Sequence, residues 1–161
     1  MVPLVLDVTD DESVAAASND APDVSIVVNN AGLSLRTSVL DPPFEDVRSE
    51  LETNLFGTIR VAQAFAPVLA RRDSSALINV LSVLSWYATG SGYEVTKAAA
   101  WSATNSMRTR LLEQGATVTA VHVGYVDTDM VADLDVPKNR SARCRAPGRR
   151  RNPRRRLRRP R

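Results

Sequence analysis

Ser91-Gly92-Tyr93-Glu94-Val95-Thr96-Lys97-Ala98-Ala99-Ala100 reads as the opening of a helix that carries a tyrosine and a lysine four residues apart. On a helix, residues i and i+4 share a face, so the Tyr93 phenol and the Lys97 ammonium stand together. A cation held beside a phenol favours the phenolate, and the tyrosine pKa is expected to fall from its reference near ~10 toward working pH. A tyrosine tuned in this way can move protons in a reaction. The same spacing also describes an ordinary surface pair, and the stretches on either side decide between the two readings.

The helix is expected over residues 93–113, with Gly115 just past its end in the position that favours a left-handed backbone. Residues 76–81 before it and 117–123 after it are apolar runs of strand length. Further upstream, Phe44, Val47, Leu51, Leu55, Ile59, Ala62 and Ala66 recur at helical spacing after the breakers Asp41-Pro42-Pro43, which predicts one long helix over 44–70, bent near Pro67. Residues 24–28 read as another strand, ending at Asn29-Asn30-Ala31-Gly32, and Pro3-Leu4-Val5-Leu6 as a first one. Between these two, Thr9-Asp10-Asp11-Glu12 has the spacing of a capping box opening a helix to about Ser18. Strands apolar on both faces and separated by helices point to an α/β fold: an incomplete doubly wound parallel sheet, Rossmann-like, with helices on both faces.

Charge divides the chain in two. Residues 138–161 hold 13 Lys and Arg and no acid, whereas residues 1–137 hold 8 bases and 18 acids, so the overall +3 describes neither part. The organisation expected is a partial Rossmann-like domain over 1–137 and a disordered Arg/Pro-rich tail over 138–161, which has too little apolar surface to offset ordering entropy. The acidic body is a poor partner for nucleic acid or anionic lipid, and the tail lacks aromatic residues for stacking on bases. The single cysteine, Cys144, allows no intrachain disulfide. With no basic leader ahead of an apolar run and no apolar stretch long enough to span a bilayer, a cytoplasmic location is expected, with no membrane association. Asp127, Asp129, Asp133 and Asp135 lack the glycine and closing glutamate of a calcium loop, so no metal site is expected. His122 is read as a structural residue inside its strand, and Trp86 and Trp101 as packing residues or pocket walls.

In an open α/β sheet, ligands bind outside the carboxyl ends of the strands. Asp7, the Asn29–Gly32 turn, Ser82 and residues 124–128 each directly follow an expected strand, and the helix bearing Tyr93 starts from the loop after Ser82. In order along residues 3–131, Leu6-Asp7-Val8-Thr9, Asn29-Asn30-Ala31-Gly32, Thr53-Asn54-Leu55-Phe56-Gly57, Ile78-Asn79-Val80-Leu81-Ser82, Tyr93-x-x-x-Lys97 and Gly124-Tyr125-Val126-Asp127-Thr128-Asp129-Met130 resemble the motifs of the classical short-chain dehydrogenase/reductase family.

That resemblance implies an oxidoreductase moving hydride between NAD or NADP and a small alcohol or carbonyl substrate. Tyr93 would be the general acid or base, Lys97 its pKa modulator and a ligand of the nicotinamide ribose, Ser82 the orienter of the substrate oxygen, and Asn54 the holder of a relay water. Asp7 and Val8 would flank adenine, Asn29, Ala31 and Gly32 the adenosine ribose, and Val126 and Thr128 the carboxamide. The resemblance also implies homo-oligomers paired through the helices at 44–71 and 93–113. Against the family pattern, no Gly-rich strand-turn-helix precedes Pro3, Ser82 stands 11 residues before Tyr93 rather than the usual somewhat longer interval, and the tail replaces the substrate-binding end. The chain is therefore expected to behave as a fragment of poor stability. The competing reading is a non-catalytic remnant domain whose basic tail binds nucleic acid.

Overall fold

A computed structural model describes residues 2–41 and 43–139. It divides into two compact units, Met1–Gly124 and Tyr125–Arg161. The expectations for the Arg-rich tail from residue 140 onward, and for Cys144, lie outside the described residues.

The first unit runs α1 (Asp11–Asp20), β1 (Ile26–Asn29), α2 (Phe44–Leu51), a π-helical turn (Glu52–Gly57), α3 (Thr58–Leu69), β2 (Ser75–Ser82), a 3-10 turn (Val83–Ser85), α4 (Gly92–Leu112) and β3 (Ala116–Val123). The strands form one parallel sheet in the order β1-β2-β3. Val27 pairs with Leu77, and Leu77 with Val118, so these three side chains form one row across the sheet. The parallel α/β, Rossmann-like architecture is the one expected.

The row Val27, Leu77, Val118 is buried together with Val14 and Ala17 of α1, Val61, Phe65, Val68 and Leu69 of α3, and Leu111 of α4. Each of the larger of these side chains contributes roughly 1.5–3 kcal/mol relative to exposure. Because α1, α3 and α4 all share this cluster, the helices of the described chain gather on one face of the sheet rather than on both. For α3 and α4 the reason is topological, since strands added in one direction through right-handed crossovers place each connecting helix on the same side; α1 precedes β1 and reaches that face by packing Val14 and Ala17 into the same cluster as α3. The opposite face carries Ile26, Val28 and Val121, of which Ile26 is 57% and Val28 54% exposed.

The expected strand at residues 3–6 does not form; the segment has no strand beside it among the described residues, and Val5 is 94% exposed. An extended stretch becomes a strand only through a neighbour that takes up its N–H and C=O groups. The predicted capping box is shifted by one residue. Asp10 is the N-cap, accepting from the N–H groups of Glu12 and Ser13, while Thr9 instead donates its hydroxyl to Asp7 at 2.7 Å. The long helix at 44–70 is helical throughout but loosens into the π turn at Glu52–Gly57, and α3 continues through Pro67 to Leu69. In the second unit, a 3-10 turn spans Asp129–Val131, and Val126 forms a parallel bridge with Asn139.

Candidate active site

The first turn of α4 is built around Glu94. Its carboxylate accepts from the Ser91 N–H at 3.1 Å and from the Thr89 hydroxyl at 2.8 Å, as well as from the N–H groups of Thr89 and Gly90. Burial alone would raise its pKa, but these donors outweigh it and hold the carboxyl below its ordinary value. Gly90, at φ +97°, supplies the left-handed turn that aims those N–H groups at the carboxylate. The helix start is also tied to the loop after β1: Gly92 N–H donates to Thr37 C=O at 2.7 Å, and Ser38 bridges Ser91.

Tyr93 and Lys97 come together as the spacing requires, with Lys97 Nζ 5.5 Å from the centre of the Tyr93 ring. Lys97 is 5% exposed, donates to Val80 C=O at 3.1 Å, and burial lowers its pKa to about 8. Ser82, at the carboxyl end of β2, lies close enough to the Tyr93 phenol for its side chain to favour ionisation. The interval of 11 residues therefore does reach, because the 3-10 turn at Val83–Ser85 carries the chain back toward α4; Ser82 Oγ accepts from Leu84 N–H within it at 3.1 Å.

The electrostatics differ from the expectation in direction. The Tyr93 pKa is raised, by burial first and then by the charge of Glu50, with the Ser82 side chain opposing. With its own pKa lowered to about 8, Lys97 has already given up its proton at the pH where the phenol ionises, so it adds no charge to offset the desolvation of the phenolate. The phenol is thus held protonated, in the form that donates.

Asn54 sits in the π turn, a distortion that concentrates at functional sites. Its amide oxygen accepts from Leu33 N–H at 2.8 Å, and its NH2 donates to Leu33 C=O at 2.8 Å and to Thr96 Oγ1 at 2.9 Å. Both amide hydrogens are used within the protein, so the Asn54 side chain fixes the loop after β1. Gly32 lies beside it: a Cβ there would stand 3.5 Å from Asn54 Oδ1 and 3.6 Å from Lys97 Nζ. Ala31 and Gly32 are exposed, which leaves open surface against a buried ammonium that has further donors to give.

Asn29 points inward, donating to Asn79 Oδ1 at 2.9 Å and to Thr58 C=O at 3.3 Å, and Asn79 in turn donates to Thr104 Oγ1 at 2.9 Å. Asp7 is exposed, and the Thr9 hydroxyl and N–H keep its pKa low. Val8 packs against Gly57, and its C=O accepts from Arg60 at 2.7 Å. Val126 and Thr128 belong to the second unit, where Thr128 Oγ1 donates to Val126 C=O at 3.2 Å.

His122 stacks on Trp86 with ring centres 3.9 Å apart, its Nδ1 lies 3.0 Å from Ser82 C=O, and Trp101 meets both rings edge-on, so this trio packs around the Ser82 backbone. Sequence reasoning missed Arg60, which holds Asp11, Glu52 and Val8 at once, and Glu50, which is wholly buried. Glu50 was legible, since Val47, Glu50 and Asn54 fall at i, i+3, i+7 on the apolar face of the helix. Among the described residues no cluster of metal-ligating side chains occurs, and no helix is long and apolar enough to cross a membrane.

Residues 1–139 match the family model for short chain dehydrogenases. An uncharacterized oxidoreductase of Staphylococcus epidermidis is 34% identical over 127 residues, covering 78% of this chain and 55% of that protein. Among solved structures, a short chain dehydrogenase from Burkholderia cenocepacia in complex with NADP superposes with a TM-score of 0.82 at 38% identity, over 85% of this chain and 59% of that one. A gluconate 5-dehydrogenase from the same organism, in complex with NADP and tartrate, gives 0.77 at 28% identity over 82% and 55%. The chain spans about half the length of the curated relatives it matches. On that match over residues 1–139, the chain belongs to the short chain dehydrogenase family.

Proposed function

We propose that the protein works in NAD(P)-dependent oxidoreduction of a secondary alcohol or the matching ketone. The observation that carries this reading is the meeting of Ser82, Tyr93 and Lys97 at the carboxyl end of β2, with the phenol kept protonated. Tyr93 donates its proton to the substrate oxygen in the reducing direction and takes it back in the oxidising one; Ser82 orients that oxygen. Lys97 shares the site with Tyr93 and, with exposed Ala31 and Gly32 next to it, offers donors to ribose hydroxyls. Residues Asp7, Val8, Asn29, Val126 and Thr128 remain candidates for further nucleotide contacts, Asn29 through its backbone because its side chain is committed inward. A bound nicotinamide supplies the hydride. Because two similar solved proteins carry NADP, NADPH is the first cofactor to test.

Exposed Phe44 and Phe56 with Arg48, Leu51 and Glu52 line a shallow groove along α2, and Val95, Trp101 and Leu112 are exposed on α4. These faces support pairing of two copies through the long helices, in a cytoplasmic setting. The test is NADPH oxidation with a panel of small ketones, the full chain against Tyr93→Phe. The variant is expected to lose about 100-fold or more in rate, the scale of positioned acid catalysis. Undiminished turnover in the variant removes Tyr93 from the chemistry.

A further inference from the structure

We propose that Glu50 is a positioning residue of this site, holding the loop after β1 against the first turn of α4 and placing a carboxylate beside Tyr93. Glu50 is 0% exposed, and its Oε1 accepts from Leu35 N–H at 2.6 Å. The Arg36 N–H also serves the carboxylate. Arg36 has φ +58°, a left-handed conformation that a non-glycine residue adopts only against steric resistance from its Cβ. Two successive N–H groups converging on one anion make such a turn worthwhile. Oε2 has no hydrogen-bond partner and points at α4: a Cβ on Gly92 would stand 2.9 Å from it. Gly92 N–H, one residue before Tyr93, donates to Thr37 C=O in the same loop. One carboxylate thus joins α2, residues 35–37 and the helix start that carries the phenol.

A buried carboxylate with an unsatisfied oxygen costs stability. Here its charge opposes formation of the phenolate and keeps the proton on Tyr93. Among the charged and titratable groups near Glu50, Asp46, one turn earlier on α2, raises its pKa after burial has done so; Tyr93 lies on α4 with Lys97 one turn further along, and Arg36 is in the loop, where its N–H serves the carboxylate. The inference rests on the reading of Tyr93 as the proton-transfer group, but it is tested without turnover, so the two can fail separately.

The experiment is ultraviolet titration of the three tyrosines in the full chain, with Tyr93→Phe identifying the Tyr93 transition. Glu50→Gln keeps the size and an acceptor oxygen for Leu35 but removes the charge. It is expected to retain slow amide exchange at Leu35 and to shift the Tyr93 transition to lower pH, whereas Glu50→Ala loses the Leu35 protection. An unmoved Tyr93 transition in Glu50→Gln overturns the proposal, as does a Leu35 amide that exchanges freely in the unaltered chain. Should Glu50→Gln not fold, carbon NMR of the unaltered chain decides: the Tyr93 Cζ resonance is expected to move with the midpoint of the Glu50 carboxyl resonance, and a flat Tyr93 trace through that midpoint overturns the proposal.

Discussion

Lys97 is the residue whose chemistry most depends on the fold. In the unfolded chain it titrates at the ordinary 10.5, and in the folded chain burial brings it to about 8. Between those values the unfolded state binds more protons, so stability rises with pH across that window; below about 8 the buried ammonium is a cost. The full difference is roughly 3 kcal/mol, at about 1.4 kcal/mol per unit. We expect the unaltered chain to gain thermal stability between pH 7.5 and ~9.5 relative to Lys97→Met, followed by circular dichroism. Parallel pH profiles for the two proteins would mean that Lys97 is solvated. At this scale the sequence was most informative where spacing alone fixes neighbours: Tyr93 and Lys97 had to meet on any helix. It misjudged the direction of the Tyr93 shift, because desolvation and the charge of Glu50 come from residues 43 positions apart or more widely dispersed, which spacing does not reveal.

At the scale of elements, the π turn at Glu52–Gly57 places Asn54 against Leu33 and Thr96 and brings Gly57 to Val8. Gly57→Ala tests this seating. Alanine improves helix propensity by up to about 1 kcal/mol, yet its Cβ would meet Val8 Cγ2 at 2.8 Å and Val8 C=O at 3.1 Å. Overpacking of this kind costs about 1–3 kcal/mol, so a lower melting temperature is expected. A raised one would show that residue 8 does not lie on the turn. Helical spacing gave the outer limits of the helical stretch from Phe44 to Leu69, though not its division into α2, the π turn and α3, and gave α4 within a residue; the apolar runs gave β2 and β3 within a residue. The π turn itself carries no signal in the periodicity, since one extra residue per turn leaves Leu51 and Leu55 in plausible helical positions. The displaced N-cap of α1 is a matter of two adjacent cap-forming residues, Thr9 and Asp10, either of which could serve.

At the scale of the whole molecule, a sheet packed by helices on one face leaves Ile26, Val28 and Val121 facing outward, with Val2 and Val5 also exposed. β-Branched apolar residues in a run, such as 24–28, read as buried on both sides because the pattern does not say whether a second layer is present. An exposed apolar face of this sort is expected to bind the dye ANS in a folded chain, and Ile26→Lys with Val121→Lys to reduce that binding without lowering the melting temperature. Dye binding unchanged by the pair would mean that this face is covered in solution. Under the proposed function, Tyr93 is a proton donor assembled with Ser82 and Lys97 for a nicotinamide-dependent reduction. The measurement that tests it most directly is NADPH oxidation with small ketones, alongside NADPH binding, by the folded chain and by Tyr93→Phe. Turnover is expected in the unaltered chain, falling by about 100-fold or more in the variant while NADPH binding persists; turnover that survives the substitution, or a folded chain that neither binds NADPH nor consumes it, would overturn this role for Tyr93.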